Sequence, residues 1–334
     1  MPVRKTGTVR PHRPEAQDTG NTMAQADTEL PQPVSAERSY KPGWLSHRLN
    51  QDSTAKWILI APLVVFLVVF MLYPTLYSLY MSFTDYIMRG APNFVGLDNY
   101  RWLMDDPVFW EALQRTLFVL VACIVIELSL GLAIAMLLNR DFPGQDLVRG
   151  LCFVPLLISP LAMSLMWNYM LHIQFGVVND VITFFGLPAV GFLSTPGLAL
   201  WSIIFISVWQ WLPFSIFVLL AGLRGLPRDQ FEAAQVDGVP AWRVFLRLQL
   251  PMLMPLIIII VLLRTMWLMR LFDPLYGTTR GGLDTELLDW MIYRTSFVEF
   301  DIGLGTAYAM FALYLTLIVC LLMYKRLMAA MNKG

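Results

Sequence analysis

Charge is missing from this chain in long, regularly spaced blocks, and that pattern constrains its fold more than any other feature. No Asp, Glu, Lys or Arg occurs between Lys56 and Asp85, and none occurs from Val181 to Leu223. A helix needs about 20 apolar residues to cross the hydrocarbon core of a bilayer. Inside lipid only a helix or a closed barrel satisfies its own backbone groups. Six helical spans can be drawn, near 57–82, 116–138, 150–172, 198–222, 251–276 and 301–325. The stretch before the fourth is too long for one helix. Gly186, Pro188, Gly191, Pro196 and Gly197 break its first part and predict a surface or re-entrant segment there. Charged residues make up only 14% of the chain, against about 25% in soluble domains. The expected fold class is therefore all-α, a membrane protein of six transmembrane helices.

Residues 1–56 differ in kind: they are rich in Pro, Gln, Ser, Thr, Asp and Arg, have no apolar run, and read as a disordered tail. No apolar segment follows the basic start at signal-peptide distance, so the block beginning at Trp57 is expected to stay as a helix. The organisation expected is thus a tail over 1–56, a membrane domain over 57–326 and a short tail over 327–334. Six spans put both termini on one side, and the positive-inside rule selects it. With the termini inside, Arg140, Arg149, Arg224, Arg228, Arg243, Arg247, Lys325, Arg326 and Lys333 are cytoplasmic. Only Arg89, Arg101, Arg115, Arg280 and Arg294 fall in outer loops, so both termini are expected in the cytoplasm. The outer loops are acidic, with Asp85, Asp98, Asp105, Asp106 and Glu111 in the first and Asp284, Glu286, Asp289, Glu299 and Asp301 in the last. That acidity suits either a docking face for an external protein or plain solvation.

Several function classes fall away. Lys and Arg total 24, as do Asp and Glu, and no basic face is concentrated, so nucleic acid is not an expected partner. Cys123, Cys152 and Cys320 each sit in an apolar run, and His12, His47 and His172 are scattered. Neither set has metal-ligand spacing, and a membrane-embedded enzyme would need clustered His, Asp or Glu. No Gly-x-x-x-x-Gly-Lys-Ser/Thr occurs, so the chain has no phosphate-cradling loop of the usual kind.

The longest cytoplasmic connection, Gly222 to Leu250, predicts two short helices around a glycine. Asp229–Val236 is rich in helix formers, Gly238 suits a left-handed helix stop, and Pro240 suits a helix start. In the second helix Trp242, Phe245, Leu246 and Gln249 share one side, while Arg243 and Arg247 share another. Such a helix rests on a membrane surface or fills a groove in a partner.

Glu232-Ala233-Ala234, then Asp237-Gly238, then Leu250-Pro251 after a spacer, resembles the EAA loop of binding-protein-dependent ABC importer permeases. Val239-Pro240 departs from the alanine and small polar residue commoner there. Tyr73-Pro74, Ser82-Phe83-Thr84-Asp85-Tyr86, Phe94 to Tyr100, Thr279-Arg280-Gly281-Gly282 and Ile292 to Phe297 resemble the carbohydrate-uptake members, of the maltose and glycerol-phosphate type. They favour the first of the two permeases such importers pair, without its large outer insertion, and Leu283 stands where the family usually has proline. The resemblance covers about residues 57–326. It implies a maltose-type permease fold in a bacterial inner membrane. It implies four partners as well: a cytosolic ATPase dimer holding ATP and Mg, a second permease, an external solute-binding protein and a sugar or polyol substrate. Glu232 to Gly238, with Trp242, Leu250 and Pro251, is implied as the contact with the ATPase. The chain itself is expected to bind no cofactor and to catalyse no reaction.

In such relatives the fifth span carries sugar contacts, which places Trp267, Arg270, Leu271, Asp273 and Tyr276 on the expected substrate path. Charges inside a span normally face the bundle or a water-filled cavity. Arg270 and Asp273, three apart, suit either sugar hydroxyls or an internal pair. Glu127, alone in the second span, suits the path or a buried arginine. Two arginines, Arg264 and Arg270, lean toward an anionic or heavily hydroxylated solute. The main rival is an ion-coupled secondary transporter, which would need intramembrane carboxylates and an inverted repeat.

Overall fold

A computed structural model describes residues 52–331. The tail expected over 1–56 lies outside the described residues except for its last five, which are helical, and residues 332–334 lie outside as well. Among the described residues no strand forms, and only two isolated antiparallel bridges, Thr84 with Phe94 and Ile87 with Asp301, tie the connection after the first span to itself and to the start of the last helix. Five helices are long and apolar enough to cross a membrane: Leu59–Met81, Pro107–Leu138, Leu198–Arg224, Ala241–Leu268 and Ile302–Arg326. Two more helices, Gln145–Leu157 and Pro160–Met170, bent by 99° at their junction, together make a sixth candidate crossing.

Proline chemistry accounts for the irregularities. A proline lacks the N–H that bonds back four residues, and its ring crowds that carbonyl. Ahead of Pro74 the first span opens into a π-turn at Val68–Leu72. Ahead of Pro251 the fifth does the same at Phe245–Gln249. In the third crossing Pro160 forces the preceding residue out of helical space, and Ile158 and Ser159 are extended, with ψ of 134° at both. The span expected near 150–172 is therefore broken into two helices rather than one. The break exposes the Ile158 carbonyl, and buried Gln210 of the fourth span donates to it at 3.0 Å.

The other bounds shift for local reasons. The second span starts at Pro107 rather than near 116, because Asp106 caps it by accepting the Val108 N–H at 2.9 Å. The fifth does not begin at Pro251. One rod, Ala241–Leu268, carries the second loop helix straight into the membrane. It stops at Leu268, short of the expected 276; Met269 to Phe272 leave the helix before a single turn, Asp273–Tyr276, begins with Pro274. The last helix continues through Met331, so residues 327–331 are helical rather than tail.

The second and fourth spans form the most extensive helix pair. A Cβ added at Gly131 would sit 3.0 Å from the Ser215 Cβ, so the small residue sets their closeness. This suits lipid, where helices associate through close packing of small residues rather than through hydrophobic burial. From Leu63 to Tyr77 every residue of the first span is exposed within the chain, whereas more than half of the fourth span's core window is buried.

Candidate functional site

Five charged side chains, Glu127, Arg264, Arg270, Asp273 and Asp289, divide between two different environments. Arg264, in the fifth span, turns toward the second, where its guanidinium grips Glu127 through two bonds of 2.5 and 2.6 Å. Arg264 is 1% exposed and Glu127 0%. The bidentate fork satisfies both carboxylate oxygens, the geometry in which a buried pair recovers its desolvation cost. Ser207 of the fourth span lies 3.5 Å from the same guanidinium, and the Trp211 ring covers it at 5.1 Å from the ring centre.

Beyond Trp211 opens a cavity of about 980 Å³, lined by parts of the first, third, fourth, fifth and sixth crossings and by the connection after the fifth. Trp211 and Trp267 lie against each other on its wall, ring centres 4.3 Å apart and planes tilted by 31°, and Phe214 abuts Trp267 at 5.4 Å. Arg264 shows the cavity its edge, and the charged groups facing it in the open are Arg270, Asp273 and Asp289. Arg270 is exposed, and among the described residues no carboxylate lies within 4 Å of it. Burial pushes the Asp289 carboxyl up to about 6, with Arg270 pulling it down and Asp273 adding to the rise. Because the helix ends at Leu268, Arg270, Leu271 and Asp273 reach the cavity from irregular chain, and irregular backbone is tolerated at membrane depth where it lines a cavity.

At the other end of the fifth rod sits the glycine loop. Its first helix is Arg228–Val236. Gly238, at φ of +67°, donates to the Gln235 carbonyl at 3.1 Å, and Val239 donates to Ala234 at 3.0 Å. That pair of bonds is a Schellman stop, which asks for a left-handed residue and so for glycine. No atom lies within 4 Å of where a Gly238 Cβ would stand, so backbone conformation, not space, selects glycine. The hairpin leaves large apolar side chains outside: Val236 is 87% exposed, Trp242 59% and Leu246 50%.

The pattern of the binding-protein-dependent transport system inner membrane components matches residues 127–334, which include the glycine loop and the cavity's fifth-span wall. The chain belongs to this family. It is 36% identical over 260 residues to a probable ABC transporter permease of Sinorhizobium fredii, covering 76% of this chain and 84% of the relative. It is 33% identical over 254 residues to a trehalose transport permease of Mycobacterium tuberculosis, covering 75% and 81%. A starch-degradation-product permease of Thermoanaerobacterium thermosulfurigenes is 31% identical over 255 residues, covering 76% and 87%. Among solved structures, a chain of the bacterial importer of the acidic polysaccharide alginate shares the fold, with a TM-score of 0.72, 22% identity and coverage of 84% and 99%. This chain is thus an ABC-importer-type permease, a multi-pass inner-membrane transport subunit.

Within this permease the expected path residues separate. Trp267, Arg270, Leu271 and Asp273 line the cavity. Tyr276 turns instead into an aromatic cluster with Phe272, Trp290 and Tyr293. Glu127 lies behind Arg264 and does not border the cavity. Glu232 and Ala233 are exposed on the first loop helix, Ala234 is buried under it, and Asp237 caps its end. Trp242 begins the rod, and Leu250 and Pro251 lie within it, past the π-turn. Trp211, Gln210 and Asp289 escaped the sequence reading. The Trp-Gln-Trp run at 209–211 was the available signal for two of them. Asp289 was read as an outer-face acid, yet it turns inward. Its neighbours are largely spent internally: Glu286 pairs with Arg294 at 2.6 Å, and Asp301 accepts the Leu304 N–H at 2.9 Å.

Proposed function

We propose that this permease imports a sugar or related polyhydroxylated solute, driven by ATP hydrolysis on a separate ATPase dimer that grips residues 228–250. The observation that carries the reading is the single rod, Ala241–Leu268, with an exposed apolar hairpin at one end and the Trp267 cavity wall at the other. From Trp242 to Trp267 the helix spans about 37 Å at ~1.5 Å per residue. The helix is continuous through its π-turn at Phe245–Gln249, so displacement at one end can reach the other. Closure of the ATPase dimer on its nucleotide would move the hairpin, and the rod would tilt the tryptophan wall, alternating the cavity between the two sides.

Val236, Trp242 and Leu246 supply the apolar face that a protein groove would bury, and Arg243 and Arg247 flank it with positive charge. The sugar reading draws on the named substrates of the trehalose and starch-product relatives. It draws equally on the paired tryptophans, since an aromatic face suits the C–H face of a pyranose ring while Gln210, Arg270 and Asp273 offer hydroxyl partners. ATP and Mg would sit wholly on the partner, because this chain carries no phosphate loop. A second permease would complete the path, and an external solute-binding protein would deliver the sugar to the acidic outer side, with both termini in the cytoplasm.

The rival, an ion-coupled transporter, draws on Asp273 and Asp289 in the cavity. Uptake into proteoliposomes holding the assembled complex separates the two. Uptake that requires internal ATP and survives a protonophore supports the importer. Uptake that follows an ion gradient without ATP rejects it. Cross-linking from a cysteine placed at Val236 should capture the ATPase subunit and no external protein.

A further inference from the structure

The cavity's charge balance points to which sugars it accepts, an inference that rests on reading the cavity as the sugar path. Four charged residues line it: Arg264, Arg270, Asp273 and Asp289. Counted from sequence, two arginines in one span lean toward an anion, but the structure removes one of them. Arg264 is neutralised by Glu127 at 2.5 and 2.6 Å, and Trp211 covers its face. Among the described residues that leaves one unpaired guanidinium lining the cavity, Arg270, facing two carboxylates across a confined space. Among the described residues lining the cavity, no surplus positive charge remains to receive a third carboxylate. A sugar acid entering here would bring its charge, partly stripped of water, toward Asp273 and Asp289, and a surrounding of low dielectric amplifies that repulsion.

We propose that this cavity passes saccharides without net negative charge, uncharged or amino-bearing, and turns away sugar acids. Arg270 and the two carboxylates act together: the guanidinium donates to hydroxyls, while Asp273 and Asp289 accept from hydroxyls or from an ammonium and oppose anions. Discrimination by a misplaced like charge needs no shape difference and is an efficient form of specificity. The fold alone does not decide the matter, since the alginate importer that shares it handles an acidic polysaccharide. The decision lies in which side chains the cavity keeps unpaired.

The test is equilibrium binding to the complete importer in lipid nanodiscs, with the external binding protein omitted so that its own selectivity does not enter. Probes are matched pairs that differ only at C6: glucose with glucuronate, galactose with galacturonate, mannose with mannuronate, plus glucosamine. The neutral member of every pair that binds should be at least about tenfold tighter than its acid, with glucosamine matching or exceeding glucose. Asp289→Asn and Asp273→Asn, each isosteric, should narrow that ratio, and Arg270→Gln should widen it. Retention of the ATPase in each purified variant certifies assembly. Equal or tighter binding of the acids, or ratios untouched by all three substitutions, overturns the charge filter while leaving the importer reading intact. Absence of binding by every probe to an intact, ATPase-bearing complex overturns the sugar reading itself, and the filter with it.

Discussion

Two groups of charges gather around the end of the fifth crossing, and their environments are opposite. The Glu127–Arg264 pair is dry, bidentate and sealed by Ser207 and Trp211. Arg270, Asp273 and Asp289 face open space and, among the described residues, form no ion pair within 4 Å with one another. The first group satisfies itself and so holds protein to protein, tying the second, fourth and fifth spans at one point. The second group has hydrogen-bonding capacity left over, and capacity left over is what a solute can use. A charge within a span is thus no sign of function by itself. What decides is whether its bonding is complete without a ligand.

The largest effect expected from that contrast is at the dry pair. Glu127→Gln leaves Arg264 charged and unmatched, and breaking a buried pair from one side costs about 3–5 kcal/mol. The variant should fail to accumulate in the membrane, read as loss of full-length protein. Joint replacement, Glu127→Leu with Arg264→Met, removes both charges and should recover most of the yield, because a buried pair and a well-packed apolar substitute are close in free energy. If both variants accumulate like the parent, the pair is not the joint described above. At the wet site Trp267→Ala should leave assembly intact and reduce uptake of labelled sugar by about 10- to 100-fold, equivalent to about 1.4–2.7 kcal/mol of lost interaction. Uptake at the parent rate would show that the paired tryptophans are packing and nothing more.

Much of this was legible in residue order. Six apolar blocks gave the number and order of the crossings, though not the start of the second or either end of the fifth, and Gly238 and Pro240 marked the hairpin turn, because hydropathy and left-handed φ are local properties. What escaped was long-range. Nothing near Pro160 announces a bend as sharp as 99°, since whether a proline merely kinks a span or breaks it depends on a partner such as Gln210, 52 positions away, ready to satisfy the freed carbonyl. The same holds for Arg264 and Glu127, whose separation of 137 residues hides that one arginine is spent. Asp289 reads as one more acid in an acidic outer loop, and only the return of that loop into the bundle shows otherwise.

A third, smaller effect is expected at the hairpin. Gly238→Ala forces a side chain into left-handed space at a cost of about 1–2 kcal/mol, while Gly238→Asn tolerates that conformation better. Retention of the ATPase subunit on purified permease should fall about fivefold or more for alanine and less for asparagine. Equal retention would mean that the Schellman turn is not what shapes the docking face.

The smallest effect sharpens the claim that Asp289 shares the cavity with both Arg270 and Asp273. Burial raises its folded carboxyl from 3.8 to about 6, so between those values the folded chain holds a proton that the unfolded chain has released. Binding more protons in the folded state makes stability fall with rising pH. The contribution is fully present below about 3.8, is lost as pH climbs through about 6, and is flat above that. Water in the cavity screens it, which leaves on the order of 1 kcal/mol. Thermal unfolding of the complex between pH 4 and 7 should show that slope in the parent and a shallower one in Asp289→Asn, whose amide has no proton to lose. Asp273→Asn should restore part of the lost stability near neutral pH, since it removes the like charge that helps lift the Asp289 value. Identical slopes in parent and both variants would place Asp289 in bulk water, away from the groups it is said to face.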